Sequence, residues 1–334
     1  MKTRFLAICI ALFSTISAFA QRDLMLSQQF FSRLNFNPAA TGNSDDIDFF
    51  LIGRLQWAEF EDSPKDGVFN VSNYVESIRS GFGISLSYDD LGIANHTFIC
   101  KPAYAYHINL NESMLLSMGL SFGFLYHSWD PTDHRIIDQW EKGEPSFPAD
   151  PEKRWSPDMD FGMELATPKL MFGASIVHIL NNEEKVTTSI PGRQFYLYTR
   201  ATLSPSDFLA ICPAFVLMHR NKVSRAELNV QAFFNRMIWG GVTYRPDIGS
   251  GAWFSSNEVT FTIGMERNRL RFGYAFNLGL GEVAKLSKQS HEVLISFRIP
   301  KKKAKYQRFL EDEQYRIEMK RKPYHRRWRA HFRK

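Results

Sequence analysis

Bulky apolar residues alternate with small or polar residues along much of the chain. Between residues 115 and 126, for example, Phe122 and Phe124 alternate with Gly119 and Ser121. A period of two places the two sets on opposite faces of a strand. The same pattern recurs in the C-terminal half, where the second face carries charges of both signs. These segments predict strands with one apolar face and one face in contact with water.

Applied to the whole chain, the pattern predicts fourteen strands. Very short connections, such as that at Pro168, separate some of them, and long connections such as 128–156 separate others. An even number of antiparallel strands, with short turns opposite long loops, is typical of transmembrane β-barrels. The predicted strands cover residues 48–57, 68–77, 80–89, 95–108, 113–127, 157–167, 169–180, 193–203, 207–219, 223–234, 236–246, 257–266, 269–279 and 289–299.

Alternation by itself also fits a soluble sandwich or propeller, whose large side chains face a packed core. The aromatic content of 14% favours strands or contact with lipid. The start of the chain favours export, because Lys2 and Arg4 precede an apolar stretch at residues 5–13 and the motif Ala18-Phe19-Ala20. Residues 1–20 are therefore interpreted as a secretory signal peptide. An exported sheet with an apolar outer band must close on itself in lipid, since every backbone polar group needs a partner.

The fold class predicted is thus all-β, an antiparallel outer-membrane barrel of about 14 strands. Residues 21–47 are assigned to a periplasmic N-terminal arm, residues 48–300 to the barrel and residues 301–334 to a basic periplasmic tail. An even strand count places the arm and the tail on the same side of the membrane.

The positive charge of the chain is concentrated in this tail, which has a net charge of +10, whereas residues 21–300 have −6. That distribution and the export signal exclude a nucleic-acid-binding protein. Residues 306–319 show a partial helical stripe. The basic aromatic end either docks onto an acidic partner or anionic headgroups, or is a solvated extension. This end covers residues 324–329, and its candidate docking residues are Arg326, Arg327, Trp328 and Arg329.

No catalytic, cofactor-binding or metal-binding set is predicted. The string Gly119-Leu120-Ser121-Phe122-Gly123 lies inside a strand and not at a nucleophile turn. The acidic residues between Asp130 and Asp160 lack regular calcium-ligand spacing, which favours a solvated loop. Cys100 and Cys212 lie in apolar surroundings and are expected to be free thiols.

Several short motifs together resemble the PorP/SprF family of outer-membrane proteins, over about residues 21–299. The resemblance implies a barrel of the type IX secretion and gliding machinery in Gram-negative bacteria. It also implies partnership with periplasmic core components and with secreted cargo that carries a C-terminal sorting domain. The residues that carry it are Ser27-Gln28, Asn37-Pro38-Ala39-Ala40-Thr41-Gly42, Arg54-Leu55-Gln56-Trp57, Tyr104-Ala105-Tyr106, Trp239-Gly240-Gly241, Tyr244-Arg245, Gly273-Tyr274 and Ser290-His291-Glu292.

Some of these positions have a physical interpretation. Asn37-Pro38 followed by Gly42 predicts a stiff turn before the first strand. Arg54 and Gln56 face the lumen, where they either anchor the arm or pair with acids such as Glu258 or Glu292. His291 is expected to be a satisfied structural residue near the periplasmic start of the last strand. Tryptophans near strand ends are candidates for an interfacial girdle, although loop packing also accounts for them. They are Trp57, Trp129, Trp239 and Trp253.

The function predicted is a non-enzymatic outer-membrane barrel that recruits or anchors cargo for type IX secretion. A general diffusion or nutrient pore is the alternative, because a polar lumen permits it equally well. An outer-membrane hydrolase is the third class, with Ser121 as the first residue to test.

Overall fold

A computed structural model describes residues 26–301, apart from residues 45, 60–62, 92–94, 112, 130–150, 182–190, 207, 221–222, 236, 247–256, 268 and 281–288. Three short 3-10 turns are present, Gln29–Phe31, Pro38–Ala40 and Glu76–Ile78. The strands are β1 (Ile47–Leu55), β2 (Lys65–Val75), β3 (Ser80–Asp90), β4 (Asn95–Asn111), β5 (Met114–Trp129), β6 (Glu152–Ala166), β7 (Leu170–Val177), β8 (Gln194–Ala201), β9 (Leu203–Ser206), β10 (Leu209–Arg220), β11 (Val223–Phe234), β12 (Ile238–Arg245), β13 (Asn257–Arg267), β14 (Leu270–Leu280) and β15 (Gln289–Ile299).

The described strands form one closed antiparallel barrel. β1 pairs with β15 from Ile47 opposite Ile299 to Leu55 opposite His291, so the first and last strands join. β9 continues β8 after a break at Thr202 and also pairs with β10, so β8 and β9 count as one wall strand. The wall therefore has fourteen strands, and each overlaps one predicted strand, which confirms the predicted barrel.

The two faces of the wall differ as the alternation predicts. On the exterior, Phe122 and Ile263 are 59% and 61% exposed, whereas Ser121 and Thr260 face the lumen and are buried. An apolar exterior and a polar interior match a barrel that sits in lipid. Within the described residues, no helix is both long and apolar enough to span a membrane.

The barrel has two different ends. The "turn end", where β1 begins and β15 finishes, carries the short connections 76–79, 112–113, 167–169, 207–208, 235–237 and 268–269. The "loop end" carries the longer connections, among them 130–151 and 246–256. β15 starts at the loop end because it runs antiparallel to β1. His291, which we expected near the periplasmic start of the last strand, therefore lies at the loop end, opposite the end where β1 begins.

Several expectations concern residues outside the part of the chain that is described. These are the signal peptide, the start of the arm, Trp253, the acidic residues from Asp130 to Asp150 and almost all of the tail, including Arg326, Arg327, Trp328 and Arg329.

Candidate functional site inside the barrel

The lumen contains a segment of the chain itself, residues 26–44, which we call the plug. Leu26, Ser27, Gln28 and Asn37 in this segment have no exposed surface. We expected residues 21–47 to form a periplasmic arm, but residues 26–44 are enclosed by the wall, and Ile47 already begins β1. The reason is that the polar and aromatic side chains of the plug find partners on the inner face of almost every strand.

The middle of the plug is a tight turn around Pro38. The side chain of Asn37 accepts a hydrogen bond of 2.9 Å from the backbone nitrogen of Ala39, and Pro38 occupies the first position of the 3-10 turn. Thr41 Oγ1 donates to the carbonyl of Pro38 at 2.7 Å. Gly42 then adopts φ +70°, in the left-handed region that glycine tolerates best. These contacts allow the chain to reverse direction within the narrow lumen before it reaches β1.

Glu292 on β15 anchors the start of the plug. Its two carboxylate oxygens accept hydrogen bonds from the backbone nitrogens of Ser27 and Gln28, each at 2.9 Å. Glu292 itself is fully buried. A buried carboxylate that accepts one N–H group on each oxygen is a strong, charge-assisted clamp, because neither oxygen is left without a hydrogen bond.

A second charged residue, Arg245 on β12, binds the same part of the plug. It donates to Ser27 Oγ at 3.1 Å and lies between Glu227, at 2.8 Å, and Glu258, at 3.3 Å. Gln29 of the plug also points at Glu227, with Nε2 3.4 Å from each carboxylate oxygen. The ion pair on the wall is thus arranged to receive the polar side chains of the plug.

Glu164 on β6 anchors the other half of the plug. Arg33 reaches it with two nitrogens, Nε at 2.8 Å and Nη2 at 3.0 Å, and Asn43 donates to it at 2.8 Å. The hydroxyl of Tyr198 also donates to Glu164 and accepts from Asn37 Nδ2 at 2.6 Å. This bidentate pair, which the sequence patterns did not identify, fixes the orientation of the plug as well as its position.

The plug also has an apolar side, which packs onto an apolar part of the inner wall. Phe30 and Phe36 are buried against Tyr198, Met171 and Val216 on β7, β8 and β10. Most strands have a polar inner face. The inner face of β7, β8 and β10 is apolar at these positions instead, because Phe30 and Phe36 pack against it. The sequence signal was the run 208–218, which is apolar at both alternating positions and lies within the predicted strand 207–219.

Trp239 belongs to this inner packing and not to an interfacial girdle. It is 1% exposed, and its ring centroid lies 5.0 Å from that of Phe31 in the plug. The guanidinium of Arg271 lies over the ring of Phe31, with its carbon 4.5 Å from the ring centre. The girdle interpretation was therefore wrong for Trp239, because Phe31 occupies the lumen beside it.

Small residues on the wall make room for the plug backbone. A Cβ on Gly119 of β5 would overlap Pro38 and Ala39, and a Cβ on Gly162 of β6 would overlap the side chain of Asn37. The same is true of Gly273, where the added atom would meet Gln28. The small inner face that the sequence shows on β5 is therefore the socket of the Asn37-Pro38 turn.

Most of the residues that carry the family resemblance divide into two groups. Ser27, Gln28, Asn37, Pro38, Gly42, Trp239, Arg245, Gly273 and Glu292 converge on the plug and its socket. Tyr104, Tyr106 and Tyr274 point outwards, Gly240 lies on an exterior position of β12, and His291 binds the hydroxyl of Tyr274 at 2.7 Å on the outside of the barrel.

Arg54, Gln56 and Trp57 lie where β1 ends, at the loop end. Arg54 donates to Asp66 at 2.7 Å and to Gln56 at 3.1 Å. It faces the lumen and pairs there with Asp66, and it lies directly opposite Glu292 in the pairing of β1 with β15. The backbone nitrogen of Trp57 donates to Ser290 at 3.1 Å, which joins the end of β1 to β15.

A separate charged cluster surrounds Lys101 on β4. Asp158, Asp160 and His178 place ligand atoms within 4.8 Å of one another, as a metal site would. The ammonium of Lys101, however, lies 2.6 Å from Asp160 and 3.5 Å from Asp158, and it supplies the cation that the carboxylates need. We expected Asp158 and Asp160 to lie in a solvated loop, but both are buried on β6.

Ser121 belongs to the same cluster and donates to Asp160 at 2.7 Å, whereas His178 binds Asp158 at 2.7 Å. The hydroxyl of Ser121 is thus held by a carboxylate on the inner wall of the barrel.

The two cysteines of the described residues, Cys100 and Cys212, are both free, as predicted.

Several solved structures of outer-membrane proteins and channels are similar to this chain. The TodX deltaS2S3 mutant, a monoaromatic hydrocarbon channel, is 10% identical and has a TM-score of 0.51, over 82% of this chain and 94% of that one. The Acinetobacter baumannii outer membrane protein Omp33 is 8% identical with a TM-score of 0.46, over 76% and 99% of the two chains. The CymD monoaromatic hydrocarbon channel is 11% identical with a TM-score of 0.46, over 84% and 94%. At 10% identity, the likeness to the TodX mutant concerns the barrel fold alone.

No curated protein sequence matches the chain. Residues 18–297 match the sequence family described as type IX secretion system membrane protein PorP/SprF. This range includes the whole plug, its socket and all described strands up to Phe297 in β15. The chain therefore belongs to the PorP/SprF family, the membrane proteins of the type IX secretion system.

Proposed function

We propose that this outer-membrane component of type IX secretion works as a closed barrel that recruits or anchors secreted cargo with C-terminal sorting domains. The observation that carries the proposal is the plug. Residues 26–44 cross the lumen and are clamped by Glu292 on one side and by Glu164 on the other. A barrel filled in this way serves as a scaffold in the membrane, whereas a diffusion pore needs a continuous aqueous path.

The same proposal includes the orientation of the barrel and the absence of enzymatic activity. Short turns face the periplasm in bacterial outer-membrane barrels, so we assign the turn end to the periplasm, where periplasmic core components of the machinery dock. Both ends of the barrel domain, Ile47 and Ile299, lie at that end. No catalytic role is assigned to Ser121, because its hydroxyl donates to Asp160 within a buried ion-pair network.

Planar-bilayer recording tests the closed barrel. The full-length protein is expected to show no steady current, whereas a variant that lacks residues 26–44 is expected to conduct. The deletion is the matched comparison, because it removes the plug and leaves every wall strand. Steady open-channel current from the intact protein, without any partner, contradicts the scaffold and favours a diffusion pore.

Co-purification tests the role in secretion. We expect the barrel, purified from native outer membranes, to retain an exported protein that bears a C-terminal sorting domain. Removal of that domain from the cargo is expected to abolish the association. If the purified barrel retains no cargo whether or not the cargo carries its sorting domain, the recruiting role is contradicted.

Truncation of residues 304–334 is expected to leave insertion intact. Unchanged binding of periplasmic partners after that truncation contradicts docking by the tail.

A further inference from the structure

The outer surface of β4, β5 and β6 changes character near the loop end. Three aromatic residues lie next to one another in one row across these strands, Phe98, Tyr126 and Trp155, which we call the aromatic row. Trp155 is 64% exposed, and its ring centroid lies 4.7 Å from that of Tyr126. Towards the turn end, the same face continues with exposed apolar residues such as Phe122 and Phe161. The aromatic row therefore has the composition of an interfacial girdle, in which amphipathic rings lie at the level of the lipid headgroups.

A polar row follows directly on the loop-end side of the aromatic row. It consists of His96, Ser128 and Lys153, which are paired with one another across β4, β5 and β6. Each of them is two positions from a residue of the aromatic row, so their side chains leave the same outer face of the sheet. Lys153 is exposed and, within the part of the chain that the structure describes, forms no ion pair. Its ammonium is thus a positive charge at the boundary between the apolar surface and water.

The acidic residues near the polar row do not neutralise this ammonium. Asp90 on β3 lies beside His96, with Oδ1 3.4 Å from Nδ1 of the imidazole. Three strand spacings, or about 14 Å, separate the backbones of Asp90 and Lys153. Glu152 precedes Lys153 in the chain, and a strand places such neighbours on opposite faces. Among the described residues of this outer face, Lys153 is therefore the charge that is available to a ligand.

We propose that the polar row binds the phosphate of an anionic lipid whose hydrocarbon part lies on the aromatic row. An ammonium, a hydroxyl and an imidazole N–H group all donate hydrogen bonds to phosphate oxygens. His96 and Lys153 lie two strand spacings apart, about 10 Å, with Ser128 between them, so a phosphate above Ser128 is within reach of the side chains on either side. A lipid fits this position better than a soluble protein, because the surface is continuous with the apolar wall that lies in the membrane.

The position of the polar row also indicates the class of lipid. It lies at the loop end, which the proposed orientation assigns to the cell surface. The ligand is therefore a phosphorylated glycolipid of the outer leaflet. The choice of leaflet rests on the proposed function, whereas the binding of a lipid phosphate by the polar row does not.

Native mass spectrometry of the purified full-length protein in detergent tests the site, with diphosphoryl lipid A as the probe and dephosphorylated lipid A as its uncharged counterpart. The protein is expected to retain the diphosphoryl form preferentially, and Lys153→Gln is expected to weaken its binding about tenfold. Lys169→Gln is the matched control, since it removes the same charge from an exposed turn at the opposite end of the barrel. We expect it to change the affinity less than twofold. Ser128→Asp, which adds a carboxylate to the polar row, is expected to weaken binding as Lys153→Gln does.

Three results overturn the proposal. Equal weakening by Lys153→Gln and Lys169→Gln indicates diffuse attraction to basic residues. Equal retention of the two forms of lipid A indicates apolar contact alone. Unchanged binding in both Lys153→Gln and Ser128→Asp places the lipid elsewhere on the wall. Heat-modifiable mobility on gels establishes that each variant is folded, and Ser128→Asp carries the test if Lys153→Gln is not. The assay uses neither cargo nor secretion, so its failure leaves the proposed function standing, and loss of cargo association leaves the lipid site standing.

Discussion

The backbone nitrogen of Ser27 lies 2.9 Å from Oε2 of Glu292, although 265 positions separate the two residues. Glu292 is on β15, which closes the barrel against β1. The first residues of the plug are thus held by the last strand of the wall. The plug is therefore anchored to the same strand through which the barrel closes.

Replacement of Glu292 by glutamine is expected to loosen the start of the plug. The amide presents one acceptor oxygen instead of two, so the N–H group of Ser27 or Gln28 loses its partner. A hydrogen bond to a charged group contributes about 1.5–3 kcal/mol. We therefore expect amide exchange in residues 26–29 to become roughly ten- to a hundredfold faster, measured by hydrogen–deuterium exchange and mass spectrometry.

The control for this experiment is Glu152→Gln, which removes an exposed carboxylate at the loop end of β6. Exchange in residues 26–29 is expected to be the same in this variant as in the unmodified protein. Equal protection of these residues in Glu292→Gln contradicts the clamp.

A single added methyl group on the inner wall is expected to displace the turn of the plug. In Gly119→Ala the new Cβ overlaps backbone atoms of Pro38 and Ala39, which cannot move without distorting the turn. Overpacking of this kind costs about 1–3 kcal/mol. We expect intermittent current in planar bilayers, where the unmodified protein is silent.

Gly240→Ala provides the comparison, because its Cβ would lie on the exterior of β12 with its nearest neighbour 3.6 Å away. This variant is expected to remain silent. If Gly119→Ala is as silent as Gly240→Ala, the socket tolerates the extra atom and the small inner face of β5 has another cause.

The wall of this barrel was accessible from the sequence, and the reason is local. Phe122 and Ser121 are neighbours in the chain, and a strand places them on opposite faces whatever the rest of the molecule does. Each of the fourteen wall strands could therefore be predicted from a window of about ten residues. Turn positions followed from the interruptions of the same pattern.

The plug was not accessible in this way, because its partners are distant. The bonds from Ser27 to Glu292 and from Arg33 to Glu164 span 265 and 131 positions, and no period links such residues. Trp239 was misplaced for the same reason, since its inward orientation is satisfied only by Phe31 in the plug. Two local signals were present, the run 208–218 and the small face around Gly119. Both show that something fills the lumen there, but neither says which segment does.

The apolar side of the plug gives a third prediction. Phe36 packs between Tyr196 and Tyr198, with ring centroids 5.4 Å away in both cases. Loss of a buried phenylalanine ring costs about 3–5 kcal/mol. Phe36→Ala is therefore expected to raise exchange throughout residues 30–41. In Phe122→Ala, which removes a ring from the lipid-facing exterior, plug exchange is expected to stay as it is, and a similar rise in both variants points to a general loosening of the barrel.

The ion pair between Arg33 and Glu164 gives the last prediction, which a double-mutant cycle measures. Arg33→Met takes away the guanidinium that balances the buried carboxylate, while the neutral donors Asn43 and Tyr198 remain, and loss of one partner of a buried pair costs about 3–5 kcal/mol. Glu164→Gln in the same chain removes the charge that Arg33 had balanced. We expect plug exchange to rise strongly in Arg33→Met and to return most of the way in the double variant, since no unpaired charge is left. If the two effects simply add, the pair does not hold the plug, and the anchor of this half must be sought in the packing of Phe30 and Phe36.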